Sequence, residues 1–113
     1  MRLISFMATE KQFQNRTKTV TRRLGWQSLK IGELLMGVRK ARGLKKGEKV
    51  VKLHAITVIN VSREPLNLIN HEEVKMEGFP GMTPPEFVAM FCKLNGCQPD
   101  TMVTRIFFWH ENS

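Results

Sequence analysis

Val50-Val51-Lys52-Leu53-His54-Ala55-Ile56-Thr57-Val58-Ile59-Asn60-Val61-Ser62 is the longest strand-favouring stretch in the chain. β-branched residues dominate it, as they do in pleated, half-buried backbone. Its odd positions, Val51, Leu53, Ala55, Ile59 and Val61, form one apolar row with Thr57 among them. Its even positions mix Lys52, His54, Ile56, Val58 and Asn60, so the second face is partly covered as well. Glu64-Pro65 closes the strand, because proline has no amide to donate to a ladder.

Working toward the N-terminus, residues 43–48 form a polar loop bounded by glycines, and residues 34–38 form a strand entered through a turn at 29–33. Residues 18–23 read as extended. Thr9 and Gln12 have the spacing of a capping box, which predicts a short helix to about Asn15 with Phe13 facing inward. Residues 3–6 read as an opening strand. Toward the C-terminus, residues 71–76 form a short helix and residues 77–81 a turn-rich loop. Thr83-Pro84-Pro85-Glu86 opens a second helix with a cap, a proline in the first turn and a glutamate at the third position. Its stripe of Phe87, Met90, Phe91 and Leu94 reads as core rather than a cofactor box. Asn95-Gly96 ends it. Residues 103–109 are apolar on both faces, which predicts a central closing strand. The tally of five to six strands and two or three short helices indicates an α+β fold, a small curved sheet or β-barrel with helices at its rim. No repeat or linker divides residues 1–113, so one domain is expected.

The apolar fraction is 42% and the charged fraction 25%, ordinary for a globular chain. The net charge of +8 is unevenly spread. Residues 11–52 hold thirteen Lys and Arg against Glu33 and Glu48 alone, whereas residues 53–113 carry four bases and seven acids. A one-sided positive field favours polyanions, nucleic acid foremost. Cys92 and Cys97 make no disulfide framework, and Cys92 reads as a small core residue. Neither has companions at metal-ligand spacing. No stretch approaches the ~18 apolar residues of a membrane span, and the N-terminal residues turn polar too soon for a signal peptide. The chain therefore reads as cytoplasmic, with no membrane partner. It offers no clear dimer patch and reads as a monomer.

Lys18-Thr19-Val20-Thr21-Arg22-Arg23, followed by Trp26, concentrates the chemistry. A lysine amine acts as a general base once burial or cationic neighbours lower its pKa. A threonine hydroxyl becomes a nucleophile beside such a base. Arg22 and Arg23 offer forked donors to oxygen, and Trp26 a face for stacking a nucleobase. The same residues also read as a half-buried strand with a solvated basic edge. Glu77, in a loop ahead of a well-capped helix and flanked by Met76 and Phe79, suits a proton donor; as a solvated turn residue it would have no role. Glu72 and Glu73 read as solvated helix residues. His54, His71 and His110 are dispersed and read as structural or exposed. The glycine loop lacks the lysine–hydroxyl pair of a P-loop.

Lys18, Thr21 and Arg23, with Lys30-Ile31-Gly32-Glu33-Leu34-Leu35 following, resemble the ASCH superfamily, whose fold is a PUA-like β-barrel. Arg16 stands where that superfamily usually has glycine, and Glu33 where it usually has aspartate. Within the superfamily the match is closest to small amidohydrolases that cleave N4-acetylcytidine and related N4-acylated nucleosides. The resemblance implies Lys18 as proton acceptor, Thr21 as nucleophile and Glu77 as proton donor, with no metal or cofactor. Arg22, Arg23 and Trp26 would then contact a modified nucleoside or nucleotide. Other superfamily members are thought to bind or cut RNA, so an RNA-binding module and a ribonuclease are the competing readings. One geometric condition attaches to the first. Residues three apart in a regular strand face opposite ways, so Lys18 and Thr21 converge only if the segment bends.

Overall fold

The computed structural model describes residues 1–112. Five strands, β1 (Arg2–Ser5), β2 (Val20–Arg23), β3 (Leu34–Val38), β4 (Lys52–Pro65) and β5 (Met102–His110), form one sheet in the order β1-β3-β4-β5-β2. β1 and β3 run parallel and the other neighbours antiparallel. Three helices, α1 (Glu10–Gln14), α2 (His71–Met76) and α3 (Pro84–Asn95), accompany it. The long β4–β5 pairing is the spine; β4 is the middle strand, and β5 is an interior strand flanked by β4 and the edge strand β2. The sheet curls into a half-barrel. Its edge strands approach each other at one point, where Arg23 on β2 donates to the carbonyl of Ser5 on β1 at 2.6 Å. Ser5 and Arg23 also line the cleft described below.

The inward face of β4 differs from the expected one. His54, Ile56 and Val58, the even positions, are buried, while Val51 and Ile59 of the expected row are exposed. Both faces carry enough apolar side chains that alternation alone could not choose between them. A bulge between Val58 and Asn60 then advances the register by one residue, so Val58 opposes Phe108 and Val61 opposes Ile106. One extra residue moves the inward row from even to odd positions. The row expected from the sequence is inward only after the bulge.

Two apolar clusters result. The inner one joins Ile4, Phe6, Phe13, Leu35, Ile56, Ile106 and Phe108. Phe13 is sandwiched between Phe6 and the ring of His54, with centroids 4.0 and 4.1 Å away. Gly37 lets that stack approach the sheet: a Cβ there would run into the Phe13 ring and lie 2.9 Å from the His54 carbonyl. The outer cluster joins α2, α3 and the turn at Leu66–Leu68 to Val103.

The helix ends follow local chemistry with one exception. Thr83 and Glu86 form the full capping box, and Gly96 closes α3 in the left-handed conformation. Thr9 makes no side-chain cap. A 3-10 turn, Met7–Thr9, leads directly into α1, and the buried Thr9 donates its amide to Phe6. Leu94 is 63% exposed rather than core. Cys92 and Cys97 are half-buried, their sulfurs 3.9 Å apart across the end of α3. Among the described residues, no helix is long and apolar enough to cross a membrane.

Candidate active site

β2 begins at Val20, later than the expected extended run, and this satisfies the condition on Lys18. Arg16 takes φ 67°, so the chain leaves α1 through a left-handed turn. Such a turn favours glycine, and here an arginine adopts it at a cost of about 1–2 kcal/mol. The Lys18 amide returns to the carbonyl of Gln12, and the Thr19 amide donates to Met76. Lys18 therefore lies in the turn, outside the alternation of β2, and both Lys18 and Thr21 line one cleft.

Lys18 and Glu77 meet there. Nζ donates to Glu77 Oε1 at 2.8 Å and to the Glu77 carbonyl at 2.9 Å. The two side chains are 3% and 4% exposed. Glu77 caps the C-terminus of α2, and Gly78 follows at φ 105°. A Cβ on Gly78 would stand 2.9 Å from the Gln12 side chain, so the glycine lets this turn press against α1. Desolvation holds the Lys18 amine below the ordinary lysine range, with Arg23 and Arg22 adding repulsion; the Glu77 charge opposes this but does not cancel it.

Arg22 is a structural hub. Its guanidinium bonds Glu77 Oε2 at 3.1 Å, Glu73 at 2.8 Å and Glu64 at 3.3 Å. Arg105 also binds Glu73, which is therefore a partly buried member of the network and not a solvated helix residue. Arg23 Nε donates to Thr21 Oγ1 at 3.0 Å. Burial pushes the Arg23 guanidinium down to about 10, which still leaves it charged at neutral pH. The Thr21 oxygen accepts that bond and keeps its own proton to give. Trp26 stands apart. It lines a neighbouring groove and carries the Arg2 guanidinium 5.0 Å from its ring centroid.

The cleft holds about 270 Å³. Its apolar wall comes from Phe6, Phe79, Phe87, Met90 and Phe91. The stripe on α3 thus serves both the outer cluster and the cleft. Its helical spacing was visible in the sequence, but nothing there distinguished a wall from a core.

The histidines are not all dispersed. His54 Nε2 lies 2.7 Å from His110 Nδ1, and His110 Nε2 lies 2.6 Å from the Lys18 carbonyl. A carbonyl only accepts, so His110 Nε2 carries a proton; in the neutral pair His54 Nε2 donates to His110 Nδ1. The pair anchors the backbone of Lys18. Burial lowers both imidazoles, His54 to about 4. His71 is exposed at the start of α2. Among the described residues, no three of His, Cys, Asp or Glu come together as a metal-binding group.

No protein-family model and no curated protein matches the chain. Solved structures do. A crystal structure from Enterococcus faecalis V583, described under the family model DUF984, aligns with TM-score 0.64 at 15% identity, covering 98% of this chain and 76% of that one. The ASCH domain from Lactobacillus crispatus JV V101 aligns with TM-score 0.60 at 15% identity, covering 96% and 78%. At this identity the likeness concerns the fold: a mixed α+β curled half-barrel of the ASCH/PUA-like kind.

Proposed function

We propose that this chain is an amidohydrolase that removes the acyl group from N4-acetylcytidine and related N4-acylated cytosine nucleosides. The observation that carries the reading is the buried Lys18–Glu77 contact at 2.8 Å in the cleft that Thr21 also lines. These are the three residues that the likeness to ASCH amidohydrolases singles out.

The proton inventory fits the chemistry. In the proposed reaction one proton moves along the Nζ–Oε1 hydrogen bond. Ammonium with carboxylate and amine with carboxylic acid differ only by its shift along one hydrogen bond, so the reactive form needs no net titration. From the second form, the Lys18 amine takes the Thr21 proton while Oγ1 bonds the acyl carbon. The bond from that carbon to N4 breaks, and Glu77 gives its proton to the departing cytosine amine. The acyl group is now an ester on Thr21. A water attacks it, passing a proton to the Glu77 carboxylate, and the Thr21 oxygen recovers its proton from the Lys18 ammonium. Arg23, already bonded to Oγ1, stabilises that oxygen as its proton leaves. The phenylalanine faces of the cleft supply the stacking surface, and Trp26 lies outside it.

The test is release of cytidine from N4-acetylcytidine, followed by chromatography. The wild-type chain forms cytidine, Thr21→Ala and Lys18→Ala lose activity by at least about a hundredfold, and Thr21→Ser retains part of it. No turnover by the wild type, or full turnover by Thr21→Ala, removes the reading. Fragmentation of labelled RNA in a parallel incubation would favour the ribonuclease instead.

A further inference from the structure

A neutral nucleoside in the cleft leaves most of the positive charge of this chain without a partner. Residues 39–52 hold seven Lys and Arg against Glu48 alone. Part of this charge lines a groove of about 450 Å³ formed by β1, the end of β2 and the turn after β3. Arg23, Lys40 and Arg42 line it, and no acidic residue does. Lys40 has only a loose pairing with Glu48 at 3.7 Å, and among the described residues Arg42 forms no ion pair. The groove is continuous with the catalytic cleft. Ser5, Met7, Arg23 and Asn95 line both.

Trp26 forms its remaining wall, and the backbone there is strained. Gly25 and Trp26 take φ 74° and 55° in succession. A bulky residue in the left-handed region is uncommon and is sustained by its surroundings. Here the Trp26 ring packs on the inner cluster beneath the Arg2 guanidinium, so the groove has a rigid aromatic side.

We propose that this groove is a phosphate subsite of the neighbouring cleft, so that the preferred substrate carries a phosphate on its ribose. The inference rests on the amidohydrolase reading for the placement of the base. With a cytosine in the cleft, its sugar leaves past Arg23 into the groove, and Lys40 and Arg42 are the cations a phosphate would meet. Cations that are weakly paired or unpaired with carboxylates, beside a partly apolar wall, suit a phosphate ester better than a neutral sugar. A free nucleotide and a strand of RNA share this chemistry.

The test compares binding of cytidine, cytidine 5′- and 3′-monophosphates and a short single-stranded cytidine oligonucleotide by titration calorimetry. It uses the wild type and a Lys40→Ala/Arg42→Ala double variant. At least one monophosphate is expected to bind the wild type ten times or more tightly than cytidine, and the double variant to lose that preference. Cytidine affinity and turnover of N4-acetylcytidine should be unchanged. An oligonucleotide that binds more tightly still, with a steep dependence on salt, identifies a strand as the source of the phosphate; equal affinity identifies the free nucleotide. Monophosphates binding no better than cytidine, or a preference that survives in the double variant, overturns the proposal. Because these ligands carry no acyl group, the binding result stands apart from the activity assay. A wild type that fails to hydrolyse the acylated nucleoside but keeps the phosphate preference defeats the reaction and not the subsite.

Discussion

Glu77→Gln removes one negative charge from between two buried cations while keeping the size of the side chain. Arg22 retains Glu73 and Glu64 as partners. Lys18 keeps the backbone carbonyl of residue 77 and at most a neutral amide oxygen in place of the carboxylate. Breaking a buried ion pair by removing one partner costs about 3–5 kcal/mol. Lys18 has an escape, since desolvation already favours its neutral form and it can shed its proton. The loss should therefore fall at the low end, about 3 kcal/mol. For a chain of this length, at about 2.1 cal/mol/K of unfolding entropy per residue, that lowers Tm by about 12 °C. Raising the pH toward 10 should shrink the deficit, because the unfolded chain's lysine then loses the same proton. Lys18→Met should cost less, since it leaves Glu77 held by Arg22. The double variant should be more stable than Glu77→Gln alone, with a coupling of about 1.5–2 kcal/mol. Urea denaturation of the four proteins at pH 7 measures all of this. A cost below about 1 kcal/mol for Glu77→Gln, or a double variant no more stable than that single variant, would refute the claim that the pair is buried and interdependent.

Two further perturbations probe the surroundings. His54 stays neutral in the folded chain down to about 4 because burial lowers its imidazole, with His110 and Arg16 adding repulsion. The unfolded chain takes up that proton from about 6.5 downward, so stability falls as the pH drops through this window and levels off below 4. The loss should reach about 2 kcal/mol by pH 5, and the difference between wild type and His54→Asn in denaturation from pH 7 to 5 reads it; parallel curves would contradict the buried neutral pair. Arg16→Gly should relieve the left-handed turn. The exposed side chain gives up one hydrogen bond to the Glu111 carbonyl, and after the entropy glycine costs the gain is about 0.5 kcal/mol. A clear loss by chemical denaturation would mean that the arginine does more than fill the turn.

Local chemistry determined much of this protein from the sequence alone. The strand at Leu34–Val38, the helix at His71–Met76, the Thr83–Glu86 capping box and the Gly96 terminus follow from side chains acting on their own backbone within one turn or one pleat. That β5 lies inside the sheet was also legible, because both its faces are apolar, although β4 is the middle strand. What depended on distant partners was not. The inward face of β4 was settled by its register against Phe108 and Ile106 and by the bulge between them. Helical spacing did not reveal that α3 lends its stripe to a cleft, nor that His54 and His110, 56 residues apart, would bond. The resemblance named Lys18, Thr21 and Glu77 together, but only tertiary structure placed Lys18 in a turn and against Glu77. Propensity and capping energies arise within a few residues and can be read in one dimension; which side chains share a buried volume is decided by chain closure, and that exists only in three.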